Sequence, residues 1–198
     1  MAAKPGRRRL LRRVPRSKPD VRQLPELAKL HERHRALTPA VCGAYAEAAA
    51  VCLSRHHTPP ANMRIQSPES NSTRPITWPV PDTRVLAAWA NHDDATRDGA
   101  YAVAIAATET ELQLLATSRA ETRTGADYYV SIGSEPDLET DQRLEISGID
   151  NDTPASLARR LAAKQQQAAD GKSALPAIAA VVGFRSCEVR LARVNDDG

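Results

Sequence analysis

Arg143-Leu144-Glu145-Ile146-Ser147-Gly148 is the stretch on which the fold of this chain turns. Leu144 and Ile146 alternate with Glu145 and Ser147, the period of two expected of a β-strand, and Gly148 marks its end. If Leu144 and Ile146 face a core, Glu145 faces the other way, into a cleft that can accommodate a carboxylate. Upstream, a polar loop over residues 133–141 separates this strand from a second one over 126–132, rich in Tyr, Val and Ile. Residues 112–120 read as a further strand, joined to the second as a hairpin through the turn Thr122-Arg123-Thr124-Gly125. Before them, Asn91, Asp93 and Asp94 cap an alanine-dense run that predicts a helix to about Glu109.

Downstream of Gly148, Asp152 or Thr153 caps a helix that starts near Pro154. Its apolar stripe is Leu157, Leu161 and Ala168, with Arg160, Lys164 and Gln167 on a neighbouring face. Residues 177–184 and 187–194 are apolar, β-branched strands joined by a tight turn at Arg185-Ser186. The order is therefore helix, strand, strand, strand, helix, strand, with one strand more at the end. This predicts an α/β core domain over residues 91–198 with a mixed sheet.

The preceding segment, 26–90, reads as an extension packed on that core. Leu27, Leu30, Val41, Tyr45, Ala49 and Leu53, with a start at Thr38-Pro39, predict one or two helices over 27–54. Residues 57–82 contain six prolines and read as loop, with one short strand near Ile76 to Trp78. Residues 1–25 mix Lys, Arg and four prolines with few large apolar side chains, so a disordered basic arm is expected. Residues 1–35 hold 12 Lys or Arg against 3 Asp or Glu, whereas the rest of the chain holds 15 against 21. The net charge of +3 thus conceals a basic arm on an acidic body. Arg7, Arg8, Arg9, Arg12 and Arg13 are its candidate contacts to nucleic-acid phosphates; a solubilising tail or a start placed too far upstream are the competing accounts.

Aromatic residues are only 4% of the chain, so Leu, Ile, Val and Ala must fill the interior. No apolar run is long enough to span a bilayer, and no apolar stretch follows the paired arginines as an export signal requires, so a cytoplasmic protein is expected. The odd set of Cys42, Cys52 and Cys187 suits buried, reduced thiols. A zinc site from Cys42, Cys52, His56 and His57 matches no common ligand spacing.

Asp127 opens one predicted strand and Glu145 lies within the next. Carboxylates on adjacent strands can share a divalent cation, because hard Mg²⁺ prefers carboxylate and water oxygens, and the ion would activate a water for phosphodiester attack. The structural alternatives are that Asp127 caps the Thr124-Gly125 turn and that Glu145 pairs with Arg123 or Arg143. No glycine-rich phosphate loop, nucleophile elbow or dinucleotide fingerprint is present, which leaves a small-molecule hydrolase or transferase without support.

In Gly125-Ala126-Asp127-Tyr128-Tyr129-Val130 and Arg143-Leu144-Glu145-Ile146-Ser147-Gly148, with this element order, the chain resembles the PD-(D/E)XK, or restriction-endonuclease-like, superfamily. It also resembles, over about residues 93–194, an uncharacterised bacterial family with G-x-D-Y-W and R-L-E-V-S-G motifs, which carries no established activity. The superfamily likeness implies a restriction-endonuclease-like αβββαβ core, a nuclease (hydrolase) activity, Mg²⁺ as cofactor, and DNA binding. It implies Asp127 and Glu145 as catalytic and metal residues. Ser147 stands where the superfamily has its lysine; Lys164, on the next helix, is the candidate replacement, and Asp94 resembles the extra metal-binding acid of some members. Two functions follow as expectations: a Mg²⁺-dependent nuclease or nuclease-derived nucleic-acid-binding protein, or an inactive interaction protein, accessory or antitoxin-like, that keeps the fold and binds a protein partner.

Overall fold

A central sheet of seven strands organises the chain. The computed structural model describes residues 23–121, 124–136, 141–171 and 173–194. A 3-10 turn at Leu27–Glu32 leads to α1 (Pro39–Ser54), then to strands β1 (Ala61–Gln66) and β2 (Asn71–Ile76). After α2 (Thr83–Ala88) and α3 (His92–Leu112) come β3 (Leu115–Arg119), β4 (Tyr128–Ser131) and β5 (Gln142–Ile149). The chain continues through α4 (Pro154–Ala169), β6 (Ala177–Gly183) and β7 (Glu188–Val194).

Helix starts follow local chemistry. Thr38 Oγ1 accepts from the Val41 amide ahead of Pro39. Asn91 Oδ1 accepts from the amides of Asp93 and Asp94. Thr153 and Ser156 form a reciprocal capping box in front of α4. Asp152 therefore does not cap that helix through its side chain; its Oδ1 accepts from the Ser186 amide instead.

The strands lie in the order β2-β1-β7-β6-β5-β4-β3. β3, β4 and β5 form an antiparallel meander, α4 carries the chain over to β6, parallel to β5, and β7 returns antiparallel to β6. β5 and β6 are central, so their faces show which layer each residue meets. Leu144, Ile146, Ile178, Ala180 and Val182 belong to the main core with α1 and α3. Glu145 and Ser147 face the α4 layer, where Leu157 and Ala168 are the buried residues of that helix. α1 and α3 are packed largely through alanine, consistent with the scarcity of aromatic residues. Among the described residues no helix is long and apolar enough to cross a membrane.

The segment over 57–82 differs from the expected loop. It folds as the β1–β2 hairpin, with Ala61 opposite Ile76 and Gln66 opposite Asn71, and its β1 strand pairs in parallel with β7. The prolines occupy positions a hairpin tolerates: Pro59 and Pro60 precede β1, Pro68 lies in the turn, and Pro75 is on β2 at the sheet edge. The expected strand at Ile76 to Trp78 is only the end of β2; Trp78 lies beyond it and donates its indole N–H to Ser54 Oγ at 2.8 Å. Leu112, expected in a strand, instead ends α3, and Gln113 breaks the helix with φ 57°. β5 also runs one residue past Gly148, to Ile149. Cys42, Cys52 and Cys187 are free, buried thiols. Nothing gathers them with the histidines into a zinc centre: the Cys42 thiol donates to Leu27 O, His56 pairs with Asp150, and His57 bonds Phe184 O.

Candidate active site

A cavity of about 730 Å³ opens where β4 begins, between the first turns of α3, the end of β3, the middle of β5 and one face of α4. Its size is that of a ligand-binding cleft. β4 starts only at Tyr128, so the neighbouring strands part in front of it and Asp127 stands at the fork. Two packing features fix this geometry. Gly148 lies against α3 so closely that a Cβ there would sit 2.4 Å from Thr96 O. Arg143, itself buried, donates to Thr124 O (3.1 Å), Ala168 O (2.8 Å) and Leu175 O (2.9 Å), tying the approach to β4, the end of α4 and the approach to β6 to one guanidinium. Arg143 is therefore not the partner of Glu145; Arg123 lies outside the described residues.

Asp127 is held from four directions. Its amide donates to Leu144 O at 2.9 Å and its carbonyl accepts from the Ala120 amide at 3.0 Å, extending the meander to both sides. Its Oδ2 accepts from the Ile146 amide at 2.8 Å, taking up a β5 donor that β4 no longer reaches, and its Oδ1 accepts from the Tyr101 hydroxyl at 2.9 Å. The side chain thus bridges β5 and α3 and does not cap the Thr124-Gly125 turn. Burial and the neighbouring Asp127 carboxylate push the Tyr101 hydroxyl up to about 12, so it remains a donor at neutral pH. Arg119 lies 4.5 Å from the Tyr101 ring centroid and 4.6 Å from that of Tyr128, a double cation–π contact, with Nη2 donating to the Tyr101 hydroxyl at 3.0 Å. The same nitrogen is 3.7 Å from Asp127 Oδ1.

Glu145 lies deeper. Its side chain is 4% exposed and Oε1 accepts from Lys164 Nζ at 2.5 Å and from Gln167 Nε2 at 2.8 Å. Burial raises the Glu145 carboxyl above the usual carboxylate range against the opposing pull of Lys164, and the charge on Asp127 adds to the rise. The two carboxylates repel across one cavity, and each faces a cation: Lys164 on Glu145 and Arg119 near Asp127. Ser147 Oγ accepts from Arg160 Nη1 at 3.3 Å.

Of the sequence candidates, Asp127, Glu145 and Lys164 come together in this cavity, whereas Asp94 does not line it. Asp94 pairs with Arg97 at 3.0 Å and is 48% exposed; its neighbour Asp93 faces the cavity. Consecutive residues of a helix point about 100° apart, so only one of the two acids can face inward. Arg7, Arg8, Arg9, Arg12 and Arg13 lie outside the described residues. Tyr101 and Arg119 were not singled out by sequence. A signal for Tyr101 existed: Asp93, Arg97 and Tyr101 recur at i, i+4 and i+8, a polar stripe along an alanine-rich helix, and all three line the cavity. Among the described residues no three His, Cys, Asp or Glu side chains converge as a complete metal cage. No protein-family model matches the chain, and neither the curated proteins nor the solved structures contain a significant match to it.

Proposed function

We propose that this chain is a Mg²⁺-dependent nuclease, or a nucleic-acid-binding protein derived from one, built on a restriction-endonuclease-like core. The observation that carries this reading is the meeting of Asp127, Glu145 and Lys164 in one open cavity. The fold is in keeping with it: α3, β3, β4, β5, α4 and β6 follow the helix, strand, strand, strand, helix, strand order of that superfamily. The acids fall at the mouth of the second strand of this unit and within the third.

The donor set fits a hard cation. Mg²⁺ binds through one or two carboxylates and completes its shell with water and substrate phosphate oxygens, so a cage of three acids is not required. Each Asp127 oxygen accepts one hydrogen bond and retains a lone pair. Asp127 and Glu145 would hold the ion. When bound, it would acidify a water and offset charge on the phosphate oxygens. The protein groups supply orientation: the Ile146 amide and the Tyr101 hydroxyl set the Asp127 carboxylate, Gln167 sets Glu145, and Lys164 keeps a fixed positive charge beside the reacting phosphate.

A second reading, an inactive protein-binding relative, is favoured by the Lys164–Glu145 pair itself. That pair already neutralises the buried carboxylate, and Ser147 offers no ammonium. Incubation of the purified chain with mixed single- and double-stranded DNA in Mg²⁺ or chelator separates the two. Mg²⁺-dependent cleavage lost in Asp127→Ala supports the nuclease; absence of both cleavage and DNA binding, with a protein partner captured in its place, supports the relative.

A further inference from the structure

The cations that line the cavity are not equivalent. Lys164 is committed to Glu145. Arg119 is held between two tyrosine rings and lies near Asp127. Arg97 is paired with Asp94 at 3.0 Å and Asp98 at 2.8 Å. Among the described residues Arg160 is the lining cation that no carboxylate holds: its recorded bond is the one Nη1 gives to Ser147 Oγ. That bond aims an otherwise exposed side chain at the cavity and leaves the rest of its planar fork of N–H donors available. A guanidinium fork of this kind matches the oxygens of a phosphate.

Its position says which phosphate. Arg160 and Lys164 are four residues apart on α4, so they lie one above the other on the same face, with Cβ atoms about 5–6 Å apart. A group held by Arg160 is therefore displaced by about one helical turn from Lys164 and from the Glu145 carboxylate that Lys164 bonds.

Resting on the nuclease reading above, we propose that Arg160, aimed by Ser147, forms a phosphate subsite that grips the nucleic-acid backbone next to the reacting linkage. Arg160 is a binding residue of this subsite and takes no part in bond cleavage; Ser147, where the motif lysine would stand, is its positioning residue. The substrate is thus a polynucleotide with a charged neighbouring linkage, and an isolated phosphodiester is a poor one.

The test compares wild type, Arg160→Ala and Arg160→Lys on a fluorescent DNA duplex and its single strand. Binding is measured in Ca²⁺ across a salt series and cleavage in Mg²⁺. Arg160→Ala is expected to weaken binding and raise KM about tenfold, to lower the salt slope by about one contact, and to leave kcat nearly unchanged, with partial rescue by Arg160→Lys. A scan of single methylphosphonate linkages then locates the subsite: neutralising the linkage beside the cleaved one weakens wild type and leaves Arg160→Ala unaffected. A fall in kcat at constant KM, or an unchanged salt slope in a wild type that cleaves, overturns the subsite and leaves the nuclease standing. A wild type that neither binds nor cleaves either DNA overturns both.

Discussion

Replacing Lys164 by Met keeps the apolar stem and removes the ammonium, which isolates the ion pair with Glu145. The pair is well buried on the acid side, 4% exposed, and less so on the lysine side, 17%. Removing one partner of a buried pair costs about 3–5 kcal/mol. Gln167 still donates to Glu145 and the cavity is open to water, so the low end, about 3 kcal/mol, is expected near neutral pH. The cost should depend on pH. The Glu145 carboxyl lies above its ordinary value of 4.5 in the folded state, so the folded protein binds the proton more tightly than the unfolded chain. Stability is therefore lost as pH rises above that value. Without Lys164 the folded carboxyl rises further and the loss steepens, whereas below about pH 4, with Glu145 protonated in both states, the substitution should cost under about 1 kcal/mol. Urea unfolding of Lys164→Met, Glu145→Gln and the double variant across this range measures the coupling directly. A coupling below about 0.5 kcal/mol at neutral pH, or a cost that does not change with pH, would refute the pair as the holder of Glu145.

Two further predictions concern the frame around the site. Gly148→Ala forces a Cβ to 2.4 Å from Thr96 O; because the contact is with backbone, a loss of about 1–3 kcal/mol in chemical denaturation is expected, and a neutral result would mean that α3 does not rest on β5 there. Burial alone would push the Glu109 carboxyl up, but hydrogen bonds from His34 and Arg33 bring it down to about 2. Its stabilisation is present above 4.5 and lost as pH falls towards 2, so Glu109→Gln should flatten the acid limb of stability by about 2–3 kcal/mol; an unchanged limb would deny the contact.

The sequence shows most where local patterning and burial coincide. β5 and α4 were readable because alternation and a helical stripe separated core-facing from polar positions, and this placed Glu145 and Lys164 on facing surfaces. The β1–β2 hairpin was hidden because prolines, read singly as breakers, fall at the turn, the entry and the outer edge of a hairpin, and edge status is a property of the whole sheet. The Asp127 environment was hidden for a different reason. Tyr45, Tyr101 and Tyr128 come from α1, α3 and β4, and their meeting around Arg119 depends on how three elements stack, which no spacing within one element encodes. Likewise the bond from Arg160 to Ser147 depends on how α4, the helix that follows β5, lies across that strand, which no spacing within either element encodes.

The proposed site requires that Asp127 and Glu145 together bind a divalent cation. Calorimetric titration of Mg²⁺ and Mn²⁺ into the wild-type protein and the Asp127→Ala, Glu145→Ala double variant, both first shown to be folded by circular dichroism, measures this binding. A saturable heat in wild type that disappears in the variant is the predicted result; the same heat in both proteins, or none in either, would contradict it.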